Sequence, residues 1–301
     1  MDRRTFSRRL GGAALGGLAL GGGGGALASP DTSTPAAPFQ ISVMLWTVFR
    51  KLPFDQQLEK VAEAGYRNVE LTGQFRKWSE SDWRNFDRKR RALGIHYDTT
   101  SGLKYGVGNP AERDTFLADL RGLLPVLDRL ECPALIVMSG NRVPGMSHEA
   151  QHQSCIDGLN RAAEVAEGKN VRLLVENIDP EENPRYFLTS VAEGFEIIRA
   201  VDHPQVRFLY DFYHEQIAEG NLIEKLEKNI DLVGLVHIAD VPGRHEPGTG
   251  EIDYRNIFKK LGQLHYGHYA AMEYLPTYDE VKSLRNTAKE AVSWGAKGAA
   301  T

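Results

Sequence analysis

The chain has 301 residues, 42% of them hydrophobic and 25% charged, with a formal net charge of -4. These proportions sit close to the averages of globular proteins, and the length suffices to bury a large core. The negative balance argues against a nucleic-acid reader, which carries a basic footprint, and favours a small-molecule partner.

The first 28 residues read as a segment apart from the fold. Paired arginines, Arg3 and Arg4, precede a weakly apolar, glycine-heavy run that ends on Ala26, Leu27 and Ala28. The pattern resembles a twin-arginine export signal, which predicts an exported, periplasmic protein. A disordered Gly/Ala tail is the alternative. The apolar run is too short and too rich in glycine to span a membrane. Residues 29–39 read as a linker, 40–295 as the catalytic domain and 296–301 as a disordered tail. The two cysteines, Cys132 and Cys155, make no disulfide framework, and whether they pair is open.

From residue 41 onward the chain alternates. Short β-rich runs fall at 41–47, 68–73, 95–100, 134–140, 172–177, 206–211, 232–240 and 269–274, and helical patterns with apolar residues at three- and four-residue spacing fill the gaps, as at 54–65, 81–94, 112–130 and 148–169. Most of the strand runs are apolar almost throughout, as expected of strands covered on both faces. Eight strand-then-helix units predict a single (β/α)8 barrel. A doubly wound sheet is the alternative, weakened because "VFRKLPFD" follows the first strand in place of a glycine-rich phosphate turn.

In a parallel barrel the C-terminal strand ends share one mouth, where active sites of this fold lie. Four consecutive strands end in a side chain able to hold a metal: Glu176, Asp211, His237 and Glu273, spaced by 35, 26 and 36 residues. Each is one strand–helix unit from the next, so the four converge. Singly each has an ordinary structural explanation: Asp211 as a helix N-cap, Glu176 paired with Arg172 or Arg207, His237 as a core histidine, Glu273 in a barrel salt bridge. Jointly, three carboxylates and an imidazole favour one divalent ion, Mn²⁺, Mg²⁺ or Co²⁺, with positions left for substrate oxygens.

The stretches "LLVENID", "YDFYHEQIAEGNL", "HIADVPGRHEPGTGEIDY" and "AMEYLPT" resemble the hydroxypyruvate isomerase family, within the xylose-isomerase-like barrels that also include ketose 3-epimerases. The resemblance covers about residues 40 to 293. It implies a metal-dependent enzyme that isomerises or epimerises a small hydroxycarbonyl compound, such as hydroxypyruvate and tartronate semialdehyde. By the same match Glu176, Asp211, His237 and Glu273 are the metal ligands, Glu176 and Glu273 also move protons, and His214 and Arg244 contact substrate. The chain departs at His237, where hydroxypyruvate isomerases have glutamine and ketose 3-epimerases histidine.

A metal that chelates a carbonyl and its neighbouring hydroxyl acidifies the C–H between them and stabilises an enediolate. One glutamate then shifts the proton to the adjacent carbon, whereas two on opposite faces invert one carbon. Arg244, on a Gly/Pro-rich loop, reads as a bidentate fork for a substrate carboxylate, or as a loop arginine paired with Glu246 or Glu251. His214 reads as a substrate contact or a plain first-turn helix residue, and Trp46 as a pocket wall or a rim packing residue. An exported sugar-binding protein without catalysis is the competing class, and the sequence leaves a homo-oligomer open.

Overall fold

The structure, a computed structural model, describes residues 36–301. The expected signal at 1–28 and the first part of the expected linker lie outside the described residues. The elements run β1 (Gln40–Met44), α1 (Phe54–Ala64), β2 (Asn68–Thr72), α2 (Glu80–Ala92), β3 (His96–Ser101), α3 (Arg113–Leu130), β4 (Ala134–Met138), α4 (His148–Ala166), β5 (Arg172–Glu176), α5 (Val191–Val201), β6 (Val206–Asp211), α6 (Phe212–Ala218), α7 (Leu222–Asn229), β7 (Val233–Ile238), α8 (Tyr254–Gln263), β8 (Tyr269–Met272) and α9 (Glu280–Ala299). The strands pair in parallel in sequence order and β1 closes on β8, giving the expected TIM barrel.

Local chemistry starts the helices where they start. Ser79 and Asp82 form a capping box on α2, and Ser147, Ser190, Asp253 and Asp279 accept first-turn N–H bonds on α4, α5, α8 and α9. Inside the barrel, Met44, Ile136, Leu174, Leu209 and Leu235 plug the space beneath the mouth. The larger core lies between the strands and the helical ring, as the strands apolar on both faces require. No helix of the described residues is long and apolar enough to cross a membrane.

Both ends of the expected domain need correction. Phe39, placed in the linker, is buried and stacks on Phe258 of α8. The expected tail from 296 is helix to Ala299, because α9 presses onto α8 through glycines: a Cβ on Gly298 would stand 2.0 Å from the Lys259 carbonyl oxygen. Cys132 and Cys155 are free, buried thiols; burial pushes the Cys155 thiol up to about 12.

Candidate active site

Each residue of the expected cluster owes its place to a strand end. Glu176 and Asp211 close β5 and β6, His237 stands one residue before the end of β7, and Glu273 directly follows β8. In the β6–β7 register Asp211 faces His237. The four side chains are buried, and one atom from each, all able to ligate a metal, lies within 4.8 Å of the others. Nδ1 of His237 is 2.7 Å from Glu273 Oε2, 3.4 Å from Glu176 Oε1 and 3.7 Å from Asp211 Oδ2.

The two oxygens of Asp211 face different ways. Its Oδ1 accepts the N–H groups of Tyr213 (2.7 Å) and His214 (3.1 Å) and so caps α6. Its Oδ2 turns into the cluster. The ordinary partners considered for Glu176 are elsewhere: Arg172 bonds His268, and Arg207 bonds the carbonyls of His203 and Val206.

The donor set fits a divalent cation. His237 Nδ1 is buried without a hydrogen-bond partner, 2.7 Å from Glu273 Oε2, which makes no hydrogen bond but forms an ion pair with Arg244 at 2.9 Å. An unpaired buried polar atom is costly, and two lone pairs aimed at one point are relieved together by a cation. The other imidazole nitrogen, Nε2, lies 3.0 Å from Glu70 Oε2; in the neutral tautomer that donates Nε2–H to Glu70, Nδ1 carries the lone pair that a metal would take. A carboxylate behind the far nitrogen is the usual support of a metal-binding histidine.

Glu70 was not read from the sequence. It lies fully buried in β2 beside a register shift between Val69 and Glu70, the kind of irregularity that re-aims a side chain. Asp179, Glu182 and Tyr213 were also unread. Asp179 Oδ2 sits 2.6 Å from His214 Nδ1 and orients that ring, while Glu182 and Tyr213 flank Arg244. The available signal was a lone carboxylate between Val69 and Leu71 in a short strand for Glu70, and "NID" directly after β5 for Asp179.

Arg244 reaches the cluster, but its fork is already engaged. It lies 2.9 Å from Glu273 Oε2, 2.7 Å from Glu182 Oε2 and 3.4 Å from Asp211 Oδ2, not against Glu246 or Glu251. Its backbone is left-handed, φ 56°, a conformation held for position at some local strain. Trp46 does more than line the wall: its Nε1–H donates to Glu273 Oε1 at 2.9 Å.

Burial works against every charge here and the neighbours decide the outcome. Burial raises the Glu176 carboxyl, with His237 opposing, and pushes Glu70 up to about 8. For Glu273 burial is outweighed by Arg244 and His237, which bring it down to about 2, and for Asp211 by His214, His237 and Arg244, which hold it well below the usual range. For His214 burial is outweighed by Asp211 and Asp179, which raise it to about 9. A cleft of about 520 Å³ opens over this cluster, bordered by Trp46, Glu176, His214, Arg244 and Glu273.

Residues 58–297 match the xylose isomerase-like TIM barrel family. The chain belongs to that family. Among the family's curated members, the 2-oxo-tetronate isomerase of Pectobacterium atrosepticum is 29% identical over 237 residues, covering 76% of this chain and 89% of the relative. The hydroxypyruvate isomerase of Escherichia coli is 26% identical over 250 residues, covering 82% and 97%. Among solved structures of this barrel, that of an AP endonuclease, family 2, from Brucella melitensis superposes with a TM-score of 0.75 at 25% identity, covering 83% of this chain and 98% of that one.

Proposed function

We propose that the protein is a divalent-metal-dependent isomerase that moves a carbonyl between adjacent carbons of a hydroxycarbonyl compound through an enediolate, with the hydroxypyruvate and tartronate semialdehyde pair as the smallest member of the class. That the chain is an enzyme of the isomerase type follows from its relatives. The observation that supports the metal-dependent reading is the convergence of four buried strand-end side chains, Glu176, Asp211, His237 and Glu273, whose ligand-type atoms lie within 4.8 Å of one another.

Glu176, Asp211, His237 and Glu273 are the residues that would hold the ion. When bound, a divalent ion of the Mn²⁺, Mg²⁺ or Co²⁺ kind supplies Lewis acidity to a carbonyl and its neighbouring hydroxyl. A carboxylate, Glu176 or Glu273, takes the proton from the carbon between the two oxygens. The C–H electron pair becomes the C=C bond and the carbonyl π pair moves onto its oxygen; the proton then returns to the former carbonyl carbon, the hydroxyl proton passes to that carbon's oxygen, and the former hydroxyl carbon becomes the new carbonyl. General acid–base transfer of this kind contributes about 10²–10⁴-fold. Trp46 and Arg244 fix the Glu273 carboxylate, and Asp179 orients His214 toward the substrate side. Epimerisation is the second reading, supported by the histidine at position 237 and by carboxylates from strands three apart in the ring.

The two roles of Asp211 make the test sharp. Asp211→Asn keeps an oxygen for the α6 cap and removes the charge, so it folds, with some stability lost along with the pairing to His214 and Arg244, and loses Mn²⁺ binding in calorimetry together with turnover. Asp211→Ala loses the cap as well and is about 1 kcal/mol less stable again. An Asn variant that is active and binds Mn²⁺ with wild-type affinity would overturn the assignment.

A further inference from the structure

Beside the cleft over the cluster lies a second one of about 660 Å³, and the two share Leu103, Lys104 and Met138 in their linings. The first cleft alone falls within the about 300–1,000 Å³ that holds drug-sized ligands. A three-carbon acid occupies a small part of it. The second cleft adds a pocket of different chemistry, bordered by three cations, Lys104, Arg142 and Arg185, against one carboxylate, Glu112, and by the amides of Asn109, Asn141 and Asn183.

Its walls are built rather than draped. They are the loops after β3, β4 and β5, stitched by main-chain bonds from Val107 to Met138, from Gly108 to Ser139, from Phe187 to Gly140 and from Arg142 to Arg185, each between 2.7 and 2.9 Å. Gly106 and Gly140 pass so close that a Cβ on Gly106 would meet Gly140 Cα at 2.4 Å. Buried Gln151 holds the β4 loop through Asn141 and Val143. The Tyr186 hydroxyl, in the same wall, donates to the Glu176 carbonyl, which ties this cleft to the strand that carries the cluster.

The charges differ between the two clefts. Of the guanidinium groups in the first, Arg244 is paired with three carboxylates and Arg76 with Asp119. In the second, Lys104 and Arg185 make no side-chain bond to any acid of the described residues, and Arg142 bonds only the Pro184 carbonyl. An anionic group on a substrate therefore finds two guanidinium groups without an acidic partner, Arg142 and Arg185, in the second cleft, with Lys104 on the border of both, whereas the guanidinium groups of the first cleft are paired.

We propose that the second cleft is the distal half of the substrate site, and that the substrate is an extended polyhydroxy compound whose far end carries a carboxylate or phosphate. The inference rests on the active-site reading above and adds the far end of the substrate to it. The Asn amides meet hydroxyl groups and the cations hold the charged end, while the reacting carbons lie over the cluster.

D-fructose, D-fructose 6-phosphate and D-fructuronate present one ketose skeleton with a neutral, a phosphate or a carboxylate end. In calorimetry with Mn²⁺-loaded protein, at least one charged ketose binds about tenfold more tightly than fructose, as charge-assisted hydrogen bonds of this kind provide. Whichever charged end shows the gain identifies the group. Arg185→Glu, whose parent side chain makes no bond in the fold, removes the gain and leaves the fructose Kd within about twofold, and so does the Arg142→Gln/Arg185→Gln pair. Equal binding of the three, binding of none, or a gain that survives both variants would overturn the proposal. Proton exchange at carbon in D₂O is scored separately: a charged-end preference without exchange retains this subsite and removes the isomerase reading, and exchange without preference does the reverse.

Discussion

His237 uses its two ring nitrogens for different ends. Nε2 faces Glu70, and Nδ1 points at three carboxylates without a hydrogen bond. Glu70 thus acts on the site through the imidazole that it orients. Replacing Glu70 with leucine should weaken Mn²⁺ binding by about 10–100-fold. Because leucine leaves the buried Nε2–H of His237 without an acceptor, the same change should also lower stability, by about 1–3 kcal/mol. Glu70→Gln retains an acceptor for Nε2–H and should recover part of the affinity. Calorimetric Mn²⁺ titration beside thermal unfolding separates this role from a structural one, for which Glu70→Gln would restore stability without restoring affinity.

Loop and strand ends decide how Arg244 is presented. The segment after β7 is organised by Asp240, fully buried, whose two oxygens accept four N–H groups, from Val241, Gly248, Gly250 and Ile252, at 2.9 to 3.0 Å. Asp240 in turn places Arg244 in its left-handed conformation between Glu182 and Glu273. Asp240→Ala removes all four acceptors and should destabilise the protein by about 2–4 kcal/mol. Limited proteolysis should then cut first between Val241 and Glu251; an uncut loop at unchanged stability would contradict this account. The sequence announces this loop through its Gly and Pro residues but not its internal anchor. Asp240 looks like any polar residue after a strand until the fold brings four N–H groups to it.

At the scale of the whole molecule, the architecture was legible because strand and helix periods alternate without interruption, and parallel closure follows from that order. The cluster was legible for the same reason: a barrel sends every strand end to one mouth, so four ligand-type residues one unit apart must meet. Partners from outside that rule were not. Glu70 lies mid-strand, and Asp179 and Glu182 sit on a loop whose path the periodicity does not fix. Arg244 was placed correctly at the mouth, yet its pairing with Glu182, Glu273 and Asp211 depends on distances that no spacing encodes. The last turn of α9 was misread as a tail because its glycines look flexible in sequence, whereas in the fold they allow α9 to touch α8.

The central claim, metal-dependent proton transfer at carbon, is tested most directly by NMR in D₂O. The protein is stripped of metal, then resupplied with Mg²⁺, and offered hydroxypyruvate, tartronate semialdehyde and a panel of ketohexoses. The account predicts deuterium entering the carbon beside the carbonyl of at least one substrate, only after metal is restored, with an aldose–ketose product for isomerisation or an inverted carbon for epimerisation. Exchange at the same rate in the stripped protein, or no exchange with any of these compounds after metal is restored, would contradict it.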